Sequence, residues 1–286
     1  MQEILVPIVT PFCEDGSMDE AALRALVRHV LSRGADGLYV CGTSAECYLM
    51  TPDERKRVLE CAVRAADGAF VVAHVGAVGS DVSEDLARHA AQAGADAIAS
   101  VPPFAYAFTF DEVYDYYRML GRSTRLPLML YAVSQSTGRS FTVDQFERLL
   151  GIDGVQYVKY TETDYFTMER LKSHTGKFVY SGKDECFLSA LAAGADGGIG
   201  TSFNLMPEKF RRILSLYRAG RMEEALEVQH EVNEVVYALL QCGLLESCKY
   251  LLGRQGVDCG HARRPFARLT EAARHTLDEV YETYLR

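Results

Sequence analysis

The stretch Gly34-Ala35-Asp36-Gly37-Leu38-Tyr39-Val40 ends one pattern and begins another. A helical pattern runs up to it, glycine stands where a helix closes in the left-handed conformation, and an apolar run that reads as a strand follows at once. The same junction recurs at Gly94-Ala95-Asp96-Ala97 and at Gly194-Ala195-Asp196-Gly197. A helix-to-strand junction used three times points to stacked βα units.

Working outward, short apolar runs at 5–10, 37–42, 70–76, 97–102, 126–133, 155–161, 178–182 and 197–202 give eight strand candidates. Each is nearly continuous rather than alternating, as in parallel strands covered on both faces. Ser17 with Glu20, Thr51 with Glu54, Thr109 with Glu112 and Thr142 with Gln145 have the spacing of capping boxes, and Pro52 takes the first helical position after Thr51. Ser80, Thr163, Asp184 and the segment near Pro207 supply further starts, so one recurs about every 20 to 35 residues, the period of a βα unit. Eight units predict a (β/α)8 TIM barrel over residues 1–218, with its active site at the C-terminal ends of the strands. An open doubly wound sheet is the alternative, but no Gly-x-Gly-x-x-Gly follows the first strand to hold a dinucleotide. Past the eighth strand only helical patterns remain, at 210–218, 222–241, 244–252 and 270–285. Residues 219–286 therefore read as a C-terminal helical appendage packed on the barrel, with 253–265 its most loop-like stretch.

The chain has 286 residues, 48% hydrophobic and 24% charged, as in ordinary globular proteins. A barrel of this length is commonly one unit. Thirty Lys and Arg against thirty-nine Asp and Glu leave a net charge of -9 with no basic stripe, which argues against a nucleic-acid partner. No segment approaches the ~18 apolar residues of a membrane span, and 4–9 is too short for a signal peptide, so a cytoplasmic protein without a membrane partner is expected. The eight cysteines, at 13, 41, 47, 61, 186, 242, 248 and 259, form no Cys-x-x-Cys pair and have no histidine at ligand spacing. They read as reduced, mostly buried small side chains, and no metal site is expected.

Lys159 stands in Val155-Gln156-Tyr157-Val158-Lys159-Tyr160-Thr161, where burying an ammonium is costly. A desolvated lysine can become the neutral amine that attacks a carbonyl; the alternative is a lysine ion-paired with Glu162 or Asp164. Gly42-Thr43-Ser44-Ala45-Glu46 follows the second strand, and its hydroxyls and backbone N–H groups can bind a carboxylate or simply form a polar loop. Tyr131, at the end of the fifth strand, is a general acid or base, or packing. Asp184 and Glu185 in Ser181-Gly182-Lys183-Asp184-Glu185 could accept hydrogen bonds from sugar hydroxyls or cap the next helix. Gly198-Ile199-Gly200-Thr201-Ser202 lets a ligand approach the backbone, or turns a barrel corner. His74 reads as a hydrogen-bonded core histidine.

From Val9-Thr10-Pro11-Phe12 to Arg264-Pro265-Phe266 the chain resembles the N-acetylneuraminate lyase and dihydrodipicolinate synthase superfamily of class I, pyruvate-handling aldolases, nearest its sialic acid lyase branch. The resemblance implies that Lys159 forms an imine with a 2-oxo acid, with no cofactor beyond that covalent imine, while Thr43 and Ser44 hold the carboxylate and Tyr131 shuttles the proton. It further implies that Thr161, Gly182, Asp184, Glu185 and Thr201 bind the sugar tail, and Phe104, Phe108 and Phe110 also look like the lyase branch. Ser136 stands where dihydrodipicolinate synthases carry an arginine for a dicarboxylate, which disfavours that activity. The chain departs from the family at Ala45, usually glycine, at Ala132-Val133-Ser134, and at Lys183, usually aromatic. It departs also at Ala105, where the family carries the aromatic that reaches across the dimer interface to the shuttle tyrosine, although Tyr106 is adjacent. The implied activity is cleavage of N-acetylneuraminate to N-acetylmannosamine and pyruvate, by a homotetramer. The alternatives are an aldolase or dehydratase for another 2-oxo-3-deoxy sugar acid, and a non-catalytic sugar-acid binding barrel.

Overall fold

Asp36, Asp96 and Asp196, the third residues of the repeated junctions, each stitch their own strand to the one before it. Asp36 accepts from the N–H groups of Glu3 (2.7 Å) and Ile4 (3.0 Å), Asp96 from Val71 (2.8 Å) and Asp196 from Val179 (2.8 Å). Each also donates its own N–H back to that strand, to the carbonyls of Ile4, Val71 and Val179. The glycines two residues earlier lie at φ 103°, 88° and 97°, a region that side chains with a Cβ disfavour. The tetrad is thus a helix stop and a strand clamp in one.

The computed structural model describes residues 2–286. Its strands β1 (Leu5–Pro7), β2 (Gly37–Val40), β3 (Phe70–His74), β4 (Ala97–Ser100), β5 (Leu128–Ala132), β6 (Val155–Tyr160), β7 (Phe178–Ser181) and β8 (Gly197–Gly198) lie parallel in sequence order. Gly198 N–H donates to the Glu3 carbonyl at 2.8 Å and closes the ring against β1. The fold is the (β/α)8 TIM barrel read from the sequence. All eight strands fall inside the expected runs but end one to four residues sooner, because the chain leaves the ladder for the loops that build the site. The shortest is β8, where Ser202 donates its N–H to Asp184 and the chain enters a 3-10 turn at Thr201–Asn204.

Outside lie α1 (Glu20–Ser32), α2 (Pro52–Ala66), α3 (Ser80–Ala93), α4 (Phe110–Ser123), the short α5 (Ser134–Thr137), α6 (Val143–Leu150), α7 (Tyr165–Thr175), α8 (Phe187–Ala192) and α9 (Pro207–Arg218). Thr51, Thr109 and Thr142 form the expected capping boxes. Ser17 does not: α1 starts at Glu20, so Asp19 is the cap, accepting from Ala22 N–H at 2.9 Å, and Ser17 bonds Asp15. Likewise Asp164 rather than Thr163 caps α7.

Past the barrel come α10 (Met222–Cys242), α11 (Leu244–Arg254), α12 (Glu271–Val280) and a terminal turn, Tyr281–Leu285. Helix α10 packs on α9 and α8, and α11 reaches the 3-10 turn after β8. One apolar core fills the space between strands and helices. A second, including Leu5, Tyr39, Val72, Met129, Tyr131 and Ile199, fills the barrel interior. Among the described residues no helix is long and apolar enough to cross a membrane. Five cysteines are buried, Cys186 and Cys242 are half-buried, Cys13 is exposed, and all eight are free thiols.

Candidate active site

A cavity of about 510 Å³ opens at the C-terminal ends of the strands. Lys159, Tyr131, Thr43, Ser44, Thr161, Gly182, Asp184, Glu185 and Thr201 all line it, whereas Phe104, Phe108 and Phe110 do not.

Lys159 is only 5% exposed. Neither carboxylate near it in sequence pairs with it. Glu162 accepts from the N–H and the hydroxyl of Ser134, and Asp164 is spent on Thr167 at the start of α7. The ion-paired alternative is therefore overturned, and in its place Nζ lies 4.2 Å from the centre of the Tyr131 ring and 4.6 Å from that of Tyr39. Tyr131 projects into the barrel from β5 and is 4% exposed.

Thr43–Ala45 form one 3-10 turn directly after β2, whose first N–H groups have no partner within the turn. Ala45 keeps an ordinary φ and offers its carbonyl to the Thr10 hydroxyl (2.9 Å), so alanine fits without strain where the family pattern has glycine. The Ser44 hydroxyl lies 2.7 Å from that of Thr201. Thr201 thus touches the Thr43-Ser44 turn directly, although the resemblance assigns it to the sugar tail.

Asp184 opens a 3-10 turn, Asp184–Cys186, but caps nothing. Its Oδ2 accepts from the N–H (2.8 Å) and hydroxyl (2.6 Å) of Ser202, and burial pushes its carboxyl up to about 6. A Cβ on Gly200 would fall 1.3 Å from Asp184 Oδ1, so only glycine lets this carboxylate sit against the strand-eight backbone. A Cβ on Gly182 would fall 1.9 Å from Thr161 Oγ1 in the same way. Gly182 N–H already donates to the Tyr160 carbonyl, which leaves its own carbonyl for a ligand. Lys183 also lines the cavity, its Nζ 3.7 Å from Glu185.

His74 is buried, and Nδ1 lies 3.0 Å from the Cys41 carbonyl, so Nδ1 carries the proton. Burial first, then the Arg55 charge, holds its pKa well below the usual imidazole value. Ala105 lies outside the cavity lining with φ 75°, and Tyr106 is 75% exposed. Among the described residues no three His, Cys, Asp or Glu side chains gather as a metal-ligand set.

The appendage supplies a wall that the sequence reading did not place in the site. Val236, Leu240, Leu244, Leu245 and Phe266 line the cavity with Glu246 and Arg268. Helical periodicity shows that α10 and α11 are amphipathic but not which strand ends they meet. Ser136, noted as replacing an arginine, does lie in the lining.

This barrel and this lysine-centred cavity define a class I aldolase-type lyase. The chain belongs to the dihydrodipicolinate synthetase family, whose model matches residues 1–283. Similar solved structures include CdNal from Clostridium difficile in complex with mannosamine, at 33% identity and TM-score 0.97 over 99% of each chain. N-acetylneuraminate lyase from Fusobacterium nucleatum is 30% identical, TM-score 0.95, covering 100% of this chain and 99% of its own. Dihydrodipicolinate synthase DapA-2 from Bacillus anthracis is 28% identical, TM-score 0.96, over 100% and 99%.

Proposed function

We propose that this chain cleaves N-acetylneuraminate to N-acetylmannosamine and pyruvate through an imine on Lys159. The observation that carries the reading is a buried lysine with no carboxylate partner among the described residues, facing a cavity that also holds Tyr131 and the Thr43-Ser44 turn. The Nζ amine adds to the 2-oxo carbon and the carbonyl oxygen leaves as water. Tyr131 relays the proton of the tail hydroxyl through its own hydroxyl to solvent in the open cavity, the carbon–carbon bond breaks, and its electron pair flows into the iminium to give an enamine. The same relay returns a proton to the enamine carbon, and water releases pyruvate. Thr43 and Ser44 hold the carboxylate, while Thr161, the Gly182 carbonyl, Asp184, Glu185 and Thr201 face the tail.

The family match and the lyases among the similar structures support this reading. The mannosamine complex of the Clostridium difficile protein supports an amino-sugar tail. Ser136, a neutral side chain in the lining, argues against a dicarboxylate partner. Lys183 in the cavity wall favours a second reading, an aldolase for another 2-oxo-3-deoxy sugar acid. Assembly as a homotetramer belongs to the same proposal and is checked by light scattering in solution.

The test is borohydride reduction in the presence of N-acetylneuraminate, read by peptide mass spectrometry. A pyruvate-sized adduct on Lys159 is expected, and it disappears in Lys159→Ala. A pyruvate adduct formed from pyruvate but not from N-acetylneuraminate transfers the reading to another sugar acid. No adduct from either leaves a binding barrel.

A further inference from the structure

Lys159 brings a nitrogen into the barrel interior with two aromatic faces beside it and, among the described residues, no carboxylate within ion-pair distance, Asp184 acting on it only from farther across the cavity. The rings of Tyr39 and Tyr131 stand 6.1 Å apart at 83°, and Nζ lies within 4.6 Å of both centres. A cation over a ring face is attracted by the negative face of the π-system, more strongly when water is excluded. Tyr131 already has a role in the proposed reaction, whereas Tyr39 has none. Tyr39 is fully buried on β2, and its hydroxyl has no hydrogen-bond partner among the described residues. What it presents to the lysine is its ring. A Cβ on Gly42 would lie 2.6 Å from Tyr39 Cε1, so the Thr43-Ser44 turn starts directly on the edge of that ring. His74, 6.0 Å from the Tyr39 ring centre, is neutral and adds no competing charge.

We propose that Tyr39 is a catalytic residue whose ring face carries the positive charge on the Lys159 nitrogen. The inference rests on the aldolase reading. Imine formation converts an ammonium and a ketone into an iminium and water: two N–H protons leave with the carbonyl oxygen, one stays, and the charge is +1 throughout. A contacting carboxylate would hold the free lysine as an ion-paired ammonium and so oppose its attack on the ketone. A ring takes no proton, and it matters more to the iminium, which keeps one N–H for hydrogen bonding where the ammonium has three, so a weaker ring face lowers the amount of iminium formed.

The experiment places phenylalanine, then trifluorophenylalanine, at position 39, in the otherwise unchanged protein and in the Lys159→Met background. Fluorination keeps the ring's shape and weakens its negative face. Tyr39→Phe keeps the contact and removes a buried unpaired hydroxyl, so its thermal midpoint is expected to match or exceed that of the parent. Fluorination is expected to lower the midpoint by roughly 2 °C where Lys159 is present and not in Lys159→Met. The yield of the borohydride-trapped pyruvate adduct should fall roughly threefold to tenfold over the same step. Equal thermal shifts in both backgrounds would overturn the contact, and an unchanged adduct yield would overturn the catalytic role. If the parent protein forms no pyruvate adduct, the aldolase reading falls and takes that role with it, while the thermal coupling still reports the contact separately.

Discussion

Glu46 Oε1 and Lys249 Nζ meet at 2.7 Å with no side-chain surface of either residue exposed. Glu46 holds a left-handed backbone, φ 59°, at the exit of the Thr43–Ala45 turn, and its Oε2 accepts from Arg263 N–H at 2.6 Å. Lys249, on α11, also donates to the His261 carbonyl (3.0 Å) and lies 4.5 Å from the centre of the Phe12 ring. The Thr43–Ala45 turn, proposed to hold the carboxylate, is therefore anchored to the appendage by a buried charge pair.

Removing one partner leaves the other charge buried and alone. Lys249→Met is expected to cost about 3 to 5 kcal/mol of stability, and the double variant Lys249→Met/Glu46→Gln clearly less than the sum of the single ones. Urea unfolding of the four proteins measures this, and additive losses would show that the pair is not coupled.

Asp184 sets a pH dependence. Burial raises its carboxyl to about 6 from 3.8, so between those values the folded state binds more protons than the unfolded chain, and stability falls as pH rises through this window. Above it the full penalty stands, up to about 3 kcal/mol. Asp184→Asn removes the ionisation and can still accept from Ser202 N–H. Its unfolding midpoint is expected to exceed the wild-type value at pH 7.5, with the gap closing toward pH 4. A gap independent of pH would show that Asp184 does not titrate in this window. The same variant should raise the KM for the sugar acid more than that for pyruvate.

The barrel was legible because its signals are local. Three glycine-terminated junctions, three working capping boxes and eight apolar runs each lie within about ten residues of chain, where backbone chemistry decides the outcome. Lys159 stood out for the same reason, as a charge among aromatic and β-branched neighbours. Ser17 misled because Asp19, two residues on, is an equally good cap, and spacing alone does not choose between them. The Glu46–Lys249 pair and the Leu240 to Leu245 wall were invisible for a different reason. Their partners are some 200 residues apart in sequence or belong to another element, and in sequence Lys249 is simply one polar position on an amphipathic helix. The aspartates of the junctions were seen as part of a repeat, but their bonds to the preceding strand became evident only from the register.

The 2.7 Å contact between Ser44 and Thr201 separates two roles for Thr201. If Thr201 orients the Ser44 hydroxyl toward the carboxylate, Thr201→Val should raise KM for pyruvate and for the sugar acid alike, by roughly threefold to tenfold. A rise confined to the sugar acid would instead place Thr201 in tail recognition. Competition kinetics with pyruvate as product inhibitor give both constants from one variant.

Tyr131→Phe keeps the ring beside Lys159 and removes only the hydroxyl that would move the proton. Trapped imine from pyruvate should therefore persist in part, while turnover of the sugar acid falls by roughly 100-fold to 10,000-fold, the usual range for loss of a general acid–base group. The two readouts must part company for the assignment to hold. Loss of both together would mean that the hydroxyl is needed to form the imine as well as to break the carbon–carbon bond. Turnover equal to wild type would remove Tyr131 from proton transfer and leave it, like Tyr39, acting on Lys159 through its ring alone.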